Sequence, residues 1–157
     1  MGIDPGTATT GFGVIDCEHG RYTFVDAGVI TTPAHTPMPD RLMTLHEELA
    51  QVIADNKPEQ AAVELLYFST NVTTAISVGQ ARGVILLTLA EAGLLPAEYT
   101  PMQIKQAVTG YGGAKKPQIQ EMVRNLLSLP AIPKPDDAAD GLAIAMTHAA
   151  AYQPAIR

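Results

Sequence analysis

Four acidic residues of this sequence stand at positions where a carboxylate can meet a ligand. Two of them end short apolar strands, and two lie three residues apart in the first turns of a predicted helix; they are Asp4, Glu64, Asp137 and Asp140. A side chain at the rim of a sheet faces solvent and ligand while its backbone stays fixed. A mixed sheet with flanking helices can bring two strand ends and one helix start together, so we expect the four carboxylates to meet.

Four carboxylates at one point repel one another strongly unless cations neutralise them. Mg²⁺ and Mn²⁺ prefer carboxylate oxygens and keep open positions for water and phosphate. Two such ions about 4 Å apart suit phosphodiester hydrolysis, because one activates the attacking water and the other stabilises the leaving 3′ oxygen. We therefore predict a catalytic cluster that binds two Mg²⁺ or Mn²⁺ ions through these four acids.

Each acid also has a structural explanation, which stays open at this point. Asp4 precedes Pro5-Gly6, and an aspartate at such a turn often hydrogen-bonds to the backbone of the turn. Asp137 lies where the helix dipole favours an acid. The functional interpretation is stronger for Glu64, because a glutamate rarely follows small apolar residues without a partner. It is also stronger for Asp140, which lies a turn further into the helix beside an apolar face.

Positive charge is concentrated in one part of the chain. Four of the ten basic residues lie between positions 105 and 124, namely Lys105, Lys115, Lys116 and Arg124. We predict that they contact an anionic substrate from a flexible glycine-rich loop and its neighbouring helices; a merely solvated loop is the alternative. The net charge of −6 argues against a strongly basic nucleic-acid coat. Two divalent ions, adding four positive charges, would reduce that charge to −2.

The elements that must position these residues follow a mixed α/β pattern. We expect strands near residues 1–3, 9–15, 21–30, 60–64 and 96–100, and helices at 40–54, at 72–92 and beginning at Pro101, Pro117 and Asp136. In the first helix, Leu42, Leu45, Leu49 and Val52 form one apolar stripe, and His46 falls outside it, in solvent. The second helix is apolar nearly all round, which is typical of a helix that packs on a second subunit or lies in the middle of its own domain.

Length and composition indicate one compact domain over residues 1–157. Apolar residues make up 46% and charged residues 17% of the chain, which favours a well-buried sheet over disorder. The single cysteine, Cys17, cannot form an internal disulfide, and no secretion signal or membrane-spanning run is evident. We expect a soluble, cytoplasmic protein with no membrane partner.

Six motifs, taken in order, resemble the RuvC family of bacterial Holliday junction resolvases over nearly the whole chain. They are Gly2-Ile3-Asp4-Pro5-Gly6, Thr10-Gly11-Phe12-Gly13-Val14-Ile15, Ala62-Val63-Glu64, Gly79-Gln80-Ala81-Arg82-Gly83, Gln103-Ile104-Lys105-Gln106 and the run from Asp137 to Ala145. The resemblance implies an RNase H-like fold with a mixed five-stranded sheet. It also implies a homodimer that cuts four-way DNA junctions by paired, symmetric nicks, depends on Mg²⁺ or Mn²⁺ and cooperates with RuvA and RuvB.

The resemblance also implies roles for individual residues. The four acids match the family's metal ligands, and Lys105 and Lys116 match its basic residues near the scissile phosphate. Tyr67 stands where the family usually has a phenylalanine that stacks on a junction base. Further predicted DNA contacts are Lys115, Arg82 and Arg124. Leu65 replaces a commonly polar residue beside Glu64, and together with Tyr67 this departure concerns the preferred cleavage sequence.

Two other classes of protein compete with this interpretation. Actin-like ATPases and sugar kinases also use Gly-Ile-Asp-x-Gly-Thr, but they need two such domains and further nucleotide motifs that 157 residues do not supply. A relative that binds junctions without cutting, or that acts on RNA, is the second alternative. The presence of all four acids argues against a purely binding role.

Overall fold

The computed structural model describes residues 1–65 and 72–152, and these form five strands and five helices. The strands are β1 (Gly2–Asp4), β2 (Thr9–Glu18), β3 (Arg21–Thr31), β4 (Ala62–Glu64) and β5 (Ala97–Tyr99), and the helices are α1 (Met38–Asn56), α2 (Val72–Glu91), α3 (Pro101–Thr109), α4 (Lys116–Leu126) and α5 (Asp136–Ala151). Every predicted element is present. The largest differences in bounds are that β2 continues to Glu18 and that α1 extends beyond the predicted 40–54 at both ends.

The five strands form one mixed sheet in the order β3-β2-β1-β4-β5. β1, β2 and β3 pair in antiparallel fashion, whereas β1 with β4 and β4 with β5 pair in parallel. His19 and Gly20 both have positive φ at the β2–β3 turn, as a tight hairpin between twisted strands requires. The predicted mixed five-stranded sheet flanked by helices is confirmed.

Successive side chains of a strand point to opposite faces of the sheet, and this alternation creates two apolar cores. Ile3 and Val63 are fully buried on the face covered by α1 and α2. Ala62 points to the other face, where the core is completed by α3, α4 and α5. Asp4 and Glu64 are in phase with Gly2 and Ala62, so both carboxylates lie on the α5 side of the sheet.

Helix α1 buries its predicted stripe, with one residue on an unexpected contact. Leu45 and Leu49 are buried with Ile53 against the sheet and α2. His46 is not in free solvent as predicted, because its Nδ1 lies 2.9 Å from Thr88 Oγ1 on α2. The spacing of apolar residues predicts the buried face of the helix. It does not predict a polar partner on the neighbouring helix.

Helix α2 is buried on one side and open on the other. Ala81, Ile85 and Leu89 are fully buried, while Ile76 and Leu87 expose more than half of their surface. In the part of the chain that the structure describes, no helix combines the length and the apolar character needed to cross a membrane.

Candidate active site

The first two acids lie side by side because of the register of the sheet. Ile3 pairs with Val63 in the parallel β1–β4 ladder, which brings Asp4 and Glu64, one residue further along, onto neighbouring strands and the same face. On the other side of β1, Asp4 pairs with Gly11 of β2. The main-chain pairing of three strands therefore delivers two carboxylates and a glycine in one row.

Helix α5 carries the other two acids, and its main chain packs very close to the main chain of β2. A Cβ on Gly11 would overlap the main-chain carbonyl of Asp137, and a Cβ on Gly13 would overlap the main chain at Leu142. Gly141 makes the reciprocal contact, since a Cβ there would overlap the main chain at Phe12. The absence of these three side chains lets the helix lie directly on β2, with its first turns against the end of β1.

Three of the four predicted acids converge at this contact. One carboxylate oxygen from each of Asp4, Asp137 and Asp140 lies within 4.8 Å of the others. Glu64 lines the same cleft as Asp4 and Asp140, and it contributes to the rise in the pKa of Asp4. The two strand ends and the helix start thus meet as the sequence pattern predicts.

The electrostatics of the cluster show the cost of gathering these carboxylates without a cation. Burial, followed by the charges of Glu64 and Asp140, raises the pKa of Asp4 to about 8. Burial also raises the pKa of Glu64 and of Asp140. These carboxylates are oxygen ligands and are partly buried. They fit a hard divalent cation, which would favour their ionised forms.

Two lysines supply positive charge at the same place. Lys116 Nζ lies 2.9 Å from Asp140 Oδ2 and 4.0 Å from Asp136 Oδ2. Burial alone would lower the pKa of Lys116, but the hydrogen bond to Asp140 and the nearby acids raise it, so the ammonium stays charged. Lys105 lies close enough to Glu64 to work against the rise in the pKa of that carboxyl.

Three of the four acids and the lysines share one cleft of about 500 Å³. Its charged lining consists of Asp4, Glu64, Asp140, Lys105, Lys115 and Lys116. Acids and ammonium groups in one cleft can hold a metal ion and an anionic group next to each other. This pairing is the arrangement that a metal-assisted attack on a phosphodiester needs.

The turn after Asp4 is tied to the rest of the fold. Thr10 Oγ1 donates to the Gly6 carbonyl at 2.8 Å, and Thr32 Oγ1 donates to the Thr7 carbonyl at 2.5 Å. Arg41 of α1 donates to the Thr7 carbonyl at 3.1 Å and to Thr32 Oγ1 at 2.9 Å. Helix α1 therefore holds the main chain that follows the first acid.

The two arginines among the predicted DNA contacts lie outside the lining of the cleft. Arg82 pairs with Glu98 at 2.5 Å and Arg124 pairs with Glu121, and neither arginine is among the described residues that line the cleft. Tyr67 falls outside the described residues. Among the described parts of the chain, the cleft therefore concentrates its positive charge in lysines.

Two features of the site were not predicted from the sequence. The first is the close approach of α5 to β2, for which the available signal is the spacing of Gly11 and Gly13, two apart and hence on one face of a strand. The second is the bond from Arg41 to the turn after Asp4. It has no local signal, because Arg41 and Thr7 are 34 residues apart in the chain.

The raised pKa of Asp4 predicts that the metal-free protein loses stability as the pH rises. With a pKa of about 8 in the folded chain and 3.8 as the ordinary value, the folded state keeps a proton that the unfolded state has released. This contribution is complete below about pH 4 and is lost as the pH approaches 8, at up to about 1.4 kcal/mol per pH unit.

Urea unfolding in EDTA at pH 5 and pH 8 measures this effect. The wild-type chain should lose more stability over that interval than Asp4→Asn, because the amide has no proton to release. Equal losses in the two proteins would contradict the raised pKa.

Comparison with known proteins gives a consistent result. The sequence model of the family described as crossover junction endodeoxyribonuclease RuvC matches residues 1–148. The chain is 58% identical to the protein of that name from Desulfitobacterium hafniense, over 95% of this chain and 90% of the relative. It is 56% identical to the protein of the same name from Chloroflexus aurantiacus, over 95% and 91% of the two chains.

Solved structures agree with the sequence comparison. The chain superimposes on Thermus thermophilus RuvC with a TM-score of 0.87 and 38% identity, covering 95% of this chain and 92% of the other. It superimposes on T. thermophilus RuvC in complex with a Holliday junction substrate with a TM-score of 0.89, also at 38% identity, covering 94% and 90%. The RNase H-like fold expected for the chain is thereby confirmed.

Proposed function

The chain belongs to the RuvC family of crossover junction endodeoxyribonucleases, and from that membership we propose that it resolves four-way DNA junctions by paired, symmetric nicks. The observation that carries the proposal is the convergence of Asp4, Asp137 and Asp140, beside a cleft that Asp4, Asp140 and Glu64 line together with lysines. A family fold alone is compatible with binding without cutting. An acid cluster that fits metal ions favours cleavage.

We assign the metal ligands to Asp4, Glu64, Asp137 and Asp140. Two Mg²⁺ or Mn²⁺ ions held there would supply an activated water and stabilise the leaving 3′ oxygen. Asp4 and Glu64 keep a fixed separation because neighbouring strands carry them, and α5 sets the position of the other two acids relative to the sheet. Preorganised ligands need little rearrangement when the substrate binds.

The lysines have a separate task in this proposal. Lys116 already contacts Asp140, and Lys105 faces Glu64 from α3, so both ammonium groups stand next to the acids. We propose that they hold the scissile phosphate and that Lys115 binds a neighbouring phosphate. Tyr67, Arg82 and Arg124 remain proposed contacts to more distant parts of the junction.

We also propose that the protein acts as a homodimer that packs through α2. Five exposed residues of this helix recur at spacings of four and three, which places them on one stripe: Ile76, Gln80, Gly83, Leu87 and Ala90. Ile76 is 60% and Leu87 56% exposed, and a Cβ on Gly83 would meet no atom within 4 Å. Two apolar side chains flanking a residue without a side chain suit close packing of two helices. Two copies would give the two active sites that symmetric nicking requires.

The biological setting is proposed from the family alone. We expect the protein to work in the cytoplasm in DNA recombination and repair, together with the branch-migration proteins RuvA and RuvB. We also propose that residues 1–157 act as a single nuclease domain, since both apolar cores are built on one sheet.

A cleavage assay on matched DNA substrates tests the proposed function. With Mg²⁺ or Mn²⁺, the protein should nick a synthetic four-way junction symmetrically and spare linear duplex of the same sequence, and EDTA should stop the reaction. Binding should weaken steeply with salt because it rests on phosphate contacts. Equal cutting of both DNAs would exclude junction specificity, junction binding without cutting would indicate a purely binding role, and preferential cutting of an RNA junction would indicate a different substrate.

A further inference from the structure

The loop between α3 and α4, residues 110–115, is far better ordered by hydrogen bonds than its glycine content predicts. The Gln106 side chain donates to the Gly110 carbonyl at 2.8 Å and accepts from the Gly112 amide at 3.0 Å. The Thr109 hydroxyl donates to the Lys105 carbonyl of its own helix at 2.8 Å and accepts from the Tyr111 amide at 3.2 Å. Two side chains of α3 thus hold the main chain on both sides of Tyr111 and at Tyr111 itself.

The ring of Tyr111 lies against the backbone of this loop. A Cβ on Gly113 would be 2.6 Å from both Cζ and Oη of Tyr111, so the ring occupies the space that a side chain at position 113 would take. Tyr111 nevertheless exposes 66% of its surface. One part of the ring therefore lies against the main chain at Gly113, and a large area of its aromatic surface faces solvent.

The position of this ring relates it to the candidate active site. Gly113, which supports the ring, lines the same cleft as Lys105, Lys115 and Lys116. Cationic groups that attract phosphates, next to an aromatic surface without a partner in the described structure, are the combination with which proteins bind unpaired nucleotides. An apolar ligand would bind the ring without using the lysines, and a phosphate would bind the lysines without using the ring. A nucleotide uses both.

From this arrangement we infer that Tyr111 is a DNA-positioning residue that stacks on a nucleobase of the junction close to the cleaved strand. The inference rests on the proposed function and assigns the base contact to the 110–115 loop, a different segment from that of Tyr67. Stacking there would fix the direction in which the strand enters the cleft. The rigid loop means that little conformational entropy is lost when the base binds.

A fluorescence experiment can detect the contact directly, because the chain contains no tryptophan. Tyr111→Trp, introduced into the non-cutting Asp4→Asn protein, reports on stacking through quenching of its emission. Leu95→Trp in the same background is the matched control. Leu95 is 96% exposed and precedes β5, at the end of the sheet opposite to Glu64.

We expect a four-way junction to quench the emission of the Tyr111→Trp protein strongly and linear duplex to quench it much less. Neither DNA should quench the emission of the Leu95→Trp protein. Junction binding is followed independently by the anisotropy of a labelled junction. Binding without quenching above the Leu95→Trp level would overturn the assignment of Tyr111 and leave the proposed function standing. Failure of the Asp4→Asn parent to bind the junction would overturn both.

Affinity measurements separate the ring from the hydroxyl. Tyr111→Ala should weaken junction binding about tenfold, the value expected when one base loses its aromatic partner, whereas Tyr111→Phe should remain within about twofold of the parent. Far-UV circular dichroism of each variant checks the fold, which should be unchanged because the side chain is exposed. Equal affinity of the alanine and phenylalanine variants would contradict the stacking contact.

Discussion

Asp4→Asn is expected to lower the rate of junction cleavage by at least about 10³-fold while junction binding stays within a few-fold of wild type. Asp4 lies at the centre of the cluster, with Asp137, Asp140 and Glu64 around it. An amide has nearly the shape of the carboxyl but cannot supply an anionic ligand. Transition-state stabilisation worth several kcal/mol is lost with that ligand, whereas phosphate binding by the lysines is not.

Single-turnover cleavage and anisotropy, measured on the same labelled junction, separate the two effects. Asp16→Asn is the matched control, because Asp16 is an exposed aspartate of β2 outside the cluster, and it should cut at the wild-type rate. An Asp4→Asn protein that still cuts at near wild-type rate would refute the proposed metal ligand. The variant should also be at least as stable as wild type without metal at neutral pH, since the amide needs no proton uptake on folding.

Gly11→Ala is expected to destabilise the fold by about 2 kcal/mol or more and to reduce cleavage by about 10²-fold. The new methyl group would overlap the main-chain carbonyl of Asp137, and neither β2 nor α5 can yield without losing buried contacts. The strain should shift the first turn of α5 and with it two of the acids. A displacement of about 1 Å in such a group can cost two orders of magnitude in rate.

Gly28→Ala is the control for this prediction, since Gly28 pairs with Phe12 in the neighbouring strand. Its new Cβ would meet only the ring of Phe12, at 3.0 Å, and a ring can rotate away where a main-chain carbonyl cannot. Urea unfolding and cleavage rates of the two variants are compared with wild type. Equal behaviour of Gly11→Ala and Gly28→Ala would show that the close contact with α5 does not position the acids.

Much of the fold and of the site follows from local patterns in the chain. Short apolar runs predict Asp4 and Glu64 as strand ends, and residue spacing predicts the α1 stripe, because both signals are periodic and close in sequence. The separation of three between Asp137 and Asp140 places them on one helical face. These signals require no knowledge of the partner element.

The rest depends on contacts between distant parts of the chain. The Arg41 bond to Thr7, the His46 bond to Thr88 and the approach of Gly11 to Asp137 each join elements that no local pattern relates. The order of the 110–115 loop was also missed, because glycines predict mobility unless the side chains that hold them, here Gln106 and Thr109, are recognised. Contacts between residues far apart in the chain determine these features, and neither composition nor residue spacing predicts such contacts.

The placement of Asp4 and Glu64 on adjoining parallel strands has an evolutionary consequence. The distance between their main chains is the roughly 4.8 Å strand spacing, which peptide hydrogen bonds set whatever the side chains are. Residues of the two cores can therefore drift without altering this half of the site, provided that the alternation of the strands is kept. Insertion of one residue into β1 or β4 would break that tolerance at once, since it would turn the carboxylate to the opposite face of the sheet.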